Sequence, residues 1–317
     1  MSEYTEAILA AKVEWGLRGV IIPLITPFND DLSIDFPGLV RLVDYYIEEV
    51  GCDGLVPCGT TGESPTLTHQ EHADVIRSVV ERSRHRVPVI ASTGSNSTAE
   101  AVELTRLAEE LGADATLQVG PYYNKPTQEG LCSHFAAVAN ASRLPMILYN
   151  IPGRTSRNIE PSTIVRLWRE VPQVVGVKDA SGDVRQAMEI LQETDRETFQ
   201  LYSGEDILTF SLLCLGGSGA IAAVAHVVGR EVKEMCNAVW GGRLDEARRI
   251  NYQIMNVVDA LFCEPNPTPV KKAVEWMGLP AGPVRSPLQD LTPLGQETLR
   301  NAMKAGGWLV REQKSAV

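Results

Sequence analysis

The stretch 145–178, PMILYNIPGRTSRNIEPSTIVRLWREVPQVVGVK, sets the fold. Two short apolar runs, PMILYN (145–150) and QVVGVK (173–178), flank an amphipathic segment at 161–170 that opens on a proline. Apolar runs rich in Val, Ile and Leu without period-two alternation are the signature of strands buried on both faces. A helix between two such strands makes a βα unit, and repeated βα units imply a parallel sheet.

Working outward, the same unit recurs along the chain. Strands are expected at 19–25 (GVIIPLI), 54–58, 87–93, 115–119, 145–150, 173–178, 199–203 and 220–224, and helices follow them at 36–50, 68–84, 97–111, 127–141, 161–170, 184–192, 206–215 and 230–240. Eight pairs in about 220 residues match a closed (β/α)8 TIM barrel. Beyond 240 the pattern is purely helical, over 244–262, 269–277 and 293–305, with Pro265, Pro267 and Pro283 at the joins. The organisation expected is an N-terminal extension (1–18), a catalytic barrel (19–240) and a C-terminal helical appendage (241–317). For the first eighteen residues a surface helix is one possibility.

Composition narrows the function. With 29 Lys+Arg against 40 Asp+Glu the net charge is −11, which repels phosphate backbones and argues against a nucleic-acid partner. The six cysteines are scattered, with no C-x-x-C pair and no zinc-finger histidine spacing. Several lie in apolar runs, where a reduced cysteine behaves as a small hydrophobe, and this suits a reducing compartment. The N-terminus is broken by Glu3, Glu6, Lys12 and Glu14 and does not read as a secretory signal; no apolar run is long enough to span a bilayer. A cytoplasmic enzyme is expected.

Barrel chemistry sits at the C-terminal ends of the strands. That rule selects Thr60, Thr61 and Glu63 after the second strand, Tyr122 and Tyr123 after the fourth, Tyr149 and Arg154 after the fifth, Lys178 at the end of the sixth, and Gly204 and Glu205 after the seventh. Lys178 alone among the lysines ends an apolar run (Val174, Val175, Val177); the others fall on predicted loops, helices or termini. An ordinary lysine, with a pKa of about 10.4, is roughly one part in a thousand neutral near pH 7.4. Desolvation favours the neutral amine, which can attack a ketone and form an imine. Such chemistry needs proton carriers, and Tyr149, Thr60 and Tyr123 come from three strand ends facing one mouth. Arg154 could clamp a substrate carboxylate. The competing interpretation is a structural lysine paired with Asp179 or Glu205.

At these residues the chain resembles the dihydrodipicolinate synthase family, within the pyruvate-dependent class I aldolases. The motifs are GTTGESPTLTHQEH (59–72), PYYNKPTQEGL (121–131), YNIPGRT (149–155), GVKDASGD (176–183), SGED (203–206) and EPNPTPVK (264–271), in order from about Gly19 to the C-terminal helices. The resemblance implies condensation of pyruvate with L-aspartate 4-semialdehyde in lysine and diaminopimelate biosynthesis. No cofactor is implied beyond a covalent imine on Lys178. Tyr149 would be proton donor and acceptor, with Thr60 linking it to Tyr123. The tyrosine matching Tyr123 enters the neighbouring subunit's site in this family, so a homodimer or homotetramer is implied. Thr61 and Ile221 match residues that hold pyruvate, Gly204 lines the pocket, and Arg154 matches the residue that binds the semialdehyde carboxylate. Ser64, His69, His72, Asn96, Glu100 and Tyr122 match a feedback site for L-lysine.

Asp179 stands where the family more often has Glu, and Glu205 where it often has Asp. Related barrels act on sugar acids such as N-acetylneuraminate; Arg154 and the double threonine argue against that alternative. A metal-dependent lyase would need a third ligand beside His69 and His72, on one helix face at i and i+3, and none shows ligand spacing. A dehydrogenase reading of Gly217, Gly219 and Ala222 lacks the flanking strand and helix. A catalytically dead barrel is opposed by the complete Lys, Tyr and Thr set.

Overall fold

The structure, a computed structural model, describes residues 14–309. Eight strands follow one another as β1 (Gly19–Pro23), β2 (Gly54–Val56), β3 (Ile90–Ser92), β4 (Ala115–Val119), β5 (Met146–Asn150), β6 (Val174–Asp179), β7 (Gln200–Ser203) and β8 (Gly219–Ile221). Each is followed by a helix: α1 (Phe36–Asp44), α2 (His69–Ser83), α3 (Thr98–Glu110), α4 (Gln128–Ala139), α5 (Pro161–Glu170), α6 (Val184–Glu193), α7 (Thr209–Cys214) and α8 (Ala225–Trp240). All named strand pairs are parallel, in the order β2-β1-β8-β7-β6-β5-β4-β3. A parallel bridge between Leu55 and Val89 joins the two ends, with the Leu55 N–H donating to the Pro88 carbonyl at 3.0 Å. The expected (β/α)8 barrel is what the chain forms, with α9 (Leu244–Leu261), α10 (Thr268–Trp276) and α11 (Pro293–Gly306) packed on it.

Local chemistry sets the helix starts. Thr68 caps α2 in a full capping box with Glu71, while Ser97, Thr127 and Asp183 accept backbone N–H groups at the starts of α3, α4 and α6. Several expected elements differ in extent, two of them for a visible reason. The helix foreseen over 36–50 is α-helical only to Asp44 and continues as a π-helical turn over Tyr45–Val50, stopped by left-handed Gly51. The eighth strand ends at Ile221, because the turn at 222–224 is drawn in by the Asp206 carboxylate, which accepts from the Val224 N–H at 2.9 Å.

Three apolar groups make up the interior. One fills the barrel itself and includes Ile21, Val56, Ile90, Leu117, Ile147, Val175 and Ile221; the others lie between the strands and the helices outside them. Part of the stretch set apart as an extension belongs to this interior. Trp15 and Leu17 pack against the barrel filling from its N-terminal end, where the Trp15 indole N–H donates to the Tyr202 hydroxyl at 2.9 Å. That hydroxyl donates in turn to the Leu17 carbonyl at 2.7 Å. Residues 1–13 of the expected extension lie outside the described residues.

Replacing Trp15 by Ala removes an apolar cover and one partner of a buried hydroxyl. It should lower unfolding free energy by about 2–3 kcal/mol, less than for a fully buried tryptophan, as measured by urea denaturation.

Candidate active site

One register detail aims the sixth strand. Met146 on β5 pairs with Val174, but Ile147 pairs with Gly176, so a bulge at Val175 inserts one residue into β6. A one-residue slip turns every later side chain to the opposite face. Val174 and Val177 pack outside the strands, Val175 packs inside, and beyond the bulge Lys178 faces the interior while Asp179 faces out. Tyr149 is the β5 partner of Lys178 and Tyr202 its β7 partner. Gly176 is required here because a Cβ would run into the Gln200 carbonyl.

The Lys178 side chain is 6% exposed, and its ammonium nitrogen lies 4.2 Å from the centre of the Tyr149 ring. No carboxylate forms an ion pair with it among the described residues. The structural-lysine interpretation required Asp179 or Glu205 as partner. Asp179 instead accepts from the Ser181 N–H and hydroxyl at 3.2 and 3.1 Å, behind the strand. Glu205 lines the cavity, and burial together with the Asp179 charge raises its carboxyl above the ordinary range. Gly204 leaves room for the lysine stem: a Cβ there would stand 2.8 Å from Lys178 Cγ and 2.9 Å from Cε.

Lys178 opens into a cavity of about 240 Å³ lined by Thr60, Thr61, Tyr149, Arg154, Gly204, Glu205, Asp206 and Ile221, with Phe262 and Asn266 from the C-terminal region. Arg154 is carried by a single helical turn over Pro152–Thr155. Its guanidinium donates to the Asn266 carbonyl at 3.2 Å, and the Asn266 side-chain amide donates to the Thr61 hydroxyl at 3.0 Å. Asn266, Asp206 and Phe262 were missed as cavity residues. The SGED and EPNP motifs that contain or flank them were the available signal.

A second cavity of about 460 Å³ shares Thr60, Tyr149, Ile151 and Arg154 with the first. Ser64, His69, His72, Glu100 and Tyr122 line it, as does Ser95. His69 Nε2 lies 2.7 Å from a Glu100 oxygen, and the Ser95 hydroxyl donates to the other. These contacts, the Ser95 hydrogen bond foremost, hold the Glu100 carboxyl below its ordinary range. His72 is not a solvent-facing residue: it is buried and donates from Nε2 to the Ser92 carbonyl at 2.8 Å. Burial keeps its ring below the ordinary histidine range. Among the described residues no group of three or more His, Cys, Asp or Glu is placed to hold a metal ion.

Two expected residues stand apart. Tyr123 is 89% exposed, with left-handed backbone (φ 70°), and lines neither cavity of its own chain. The three hydroxyls therefore do not share one mouth within a single chain. Asn96 is also absent from the second cavity's lining; its carbonyl accepts from the Asn124 side chain at 2.8 Å. A surface groove of about 490 Å³ between α5 and α6 is lined mainly by ion-paired charges such as Arg169–Glu193.

The sequence matches the profile of the "Dihydrodipicolinate synthetase family" over residues 16–306. The chain belongs to that family. A 4-hydroxy-tetrahydrodipicolinate synthase of Nitratidesulfovibrio vulgaris is 47% identical over 290 residues, spanning 92% of this chain and 98% of its own. The crystal structure of the family enzyme from Cyanidioschyzon merolae with lysine bound superposes with a TM-score of 0.91 at 42% identity, covering 93% of this chain and all of that one. The chloride-inhibited enzyme of Acinetobacter baumannii complexed with pyruvate gives 0.89 at 43% identity, covering 92% of this chain and all of that one. No helix among the described residues is long and apolar enough to cross a membrane.

Asp206 ties the stability of this chain to pH. Burial raises its carboxyl to about 7, against the Val224 hydrogen bond and the Lys178 charge, which lower it; one oxygen has no partner among the described residues. An unfolded Asp releases its proton near pH 4. Between these values folding takes up a proton, so this group's contribution to stability falls as pH rises and levels off above 7. Asp206→Asn should flatten that part of the stability–pH curve between about pH 5 and 7, measured by thermal melts of both proteins.

Proposed function

We propose that the chain is a 4-hydroxy-tetrahydrodipicolinate synthase, condensing pyruvate with L-aspartate 4-semialdehyde. The observation that carries this reading is a buried lysine amine, without a carboxylate partner, facing a cavity that also presents Tyr149, Thr60 and Arg154. Family membership selects the substrates.

The Lys178 amine attacks the pyruvate ketone to give a carbinolamine, which loses water and becomes an imine. The methyl carbon then loses a proton, and the resulting enamine carbon attacks the semialdehyde's aldehyde, whose oxygen takes up a proton. The semialdehyde's amino group finally displaces Lys178 from the imine carbon, closing the ring and freeing the amine. Tyr149 is the group that gives and takes these protons, passing them through Thr60. Thr61 and Ile221 hold pyruvate beside Gly204. Arg154 binds the semialdehyde carboxylate by charge-assisted hydrogen bonds. The carboxylate-binding arginine, together with the name carried by the relatives, favours the amino-acid aldehyde over a sugar acid.

Tyr123 completes the proton path from outside. Its exposure fits a side chain that enters the cavity of a second copy, so the working unit is a homodimer or a homotetramer. The second cavity is the feedback site. Glu100 would take a lysine ammonium there, with Ser64, His69, His72 and Tyr122 around it and Asn96 from its edge or from the partner copy. The lysine bound to the Cyanidioschyzon merolae enzyme supports this reading.

Borohydride reduction in the presence of pyruvate should fix one pyruvate-derived adduct on Lys178, located by peptide mapping; no adduct there would sink the mechanism. Arg154→Ala should slow condensation at least tenfold while slowing adduct formation far less, since it removes a charge-assisted contact made only with the aldehyde. Free lysine should inhibit, and Glu100→Gln should raise the concentration for half-inhibition at least tenfold in a coupled assay.

A further inference from the structure

Outside the cavity, the most completely desolvated charges among the described residues stand directly behind its rim. Glu63 and Lys271 are each 2% exposed and pair at 2.9 Å. The three donors of the Lys271 ammonium are accounted for: Glu63 Oε1, the Thr26 carbonyl at 3.1 Å and the Pro283 carbonyl at 2.6 Å. The other Glu63 oxygen accepts from the Arg285 backbone N–H at 2.9 Å. Lys271 and Arg285 each place their charge 4.3 Å from the centre of the Phe28 ring. The pair thus ties three parts of the chain together: the loop after β1, the loop after β2, and the C-terminal region from α10 to Arg285.

An apolar pair of the same volume serves stability as well as a buried ion pair or better, so stability alone is a weak reason for this one. The backbone supplies a second reason. Glu63 is left-handed (φ 57°, ψ 35°), a conformation a non-glycine residue keeps only when its surroundings impose it. It ends the tight turn that presents Thr60 and Thr61. The Glu63 N–H donates to the Thr60 carbonyl at 3.1 Å, and the Gly62 carbonyl accepts from the Thr26 hydroxyl at 2.7 Å. Glu63 does not itself line the cavity.

We infer that Glu63 is a positioning residue, clamped by Lys271 and Arg285 so that Thr60 and Thr61 stand where the proton transfer and the pyruvate contact need them. This rests on the roles given above to those two threonines. The C-terminal helical region thereby sets the geometry of a site whose nucleophile lies on the barrel.

The test is the rate of borohydride-trapped pyruvate adduct on Lys178, with steady-state kinetics, for wild type, Lys271→Met and Glu63→Asp. Lys271→Met strands a buried carboxylate and lowers thermal stability; Glu63→Asp keeps both charges and shortens the arm by one methylene, so it remains readable if the first variant does not fold. The expected result is trapping slowed at least tenfold and pyruvate KM raised at least fivefold, with semialdehyde KM changed less than twofold, at temperatures well below the variant's melting point. A folded variant that melts earlier but traps pyruvate at the wild-type rate with unchanged pyruvate KM overturns the proposal. Failure of the wild type to trap any adduct on Lys178 would instead defeat the functional reading itself.

Discussion

The side-chain phase of β6 is the constraint on which the site depends. In a strand, neighbouring side chains point to opposite faces, and the bulge at Val175 resets that alternation three residues before Lys178. Continued without the bulge, the alternation would send Asp179 into the barrel and Lys178 toward the surrounding helices. With it, the amine meets the Tyr149 ring, and the adjacent carboxylate is taken up by Asn150 and Ser181 outside. A strand that must carry a base and an acid side by side thus keeps them apart by geometry. The amine is left without an ion-pair partner among the described residues.

Much of this arrangement was legible in the residues. Eight apolar runs located the strands to within a few residues, because a strand buried on both faces has no polar positions to blur its ends. The rule that barrel chemistry gathers at the C-terminal strand ends then selected Lys178, Tyr149, Thr60, Thr61 and Arg154, all of which line one cavity. The bulge was not legible, since QVVGVK has the same composition whichever residue is looped out.

Other misses share a physical origin in contacts between distant segments. Lys271 lies in an amphipathic helical pattern, where a lysine ordinarily marks the solvent side; only the fold brings Glu63 and two carbonyls from remote loops around it. The i, i+3 spacing of His69 and His72 describes a helix face without saying what covers it; for His72 the Ser92 carbonyl on β3 does. Tyr123 was grouped with the mouth because strand order gives the neighbourhood of a loop, whereas the direction of a side chain follows from local dihedrals, in this case left-handed ones.

Trp15 and Leu17, set beneath the barrel filling and tied to Tyr202, cover the N-terminal end of the barrel like the floor of a cup. Traffic through a cup is sequential. Pyruvate enters by the mouth, and the water lost when its imine forms leaves by the same way. Arg154, proposed above to bind the aldehyde, lines that same cavity. A floor built from two apolar residues ahead of the first strand thus bears on the proposed chemistry at the opposite end: with one end covered, both reactants and the water released would share the other.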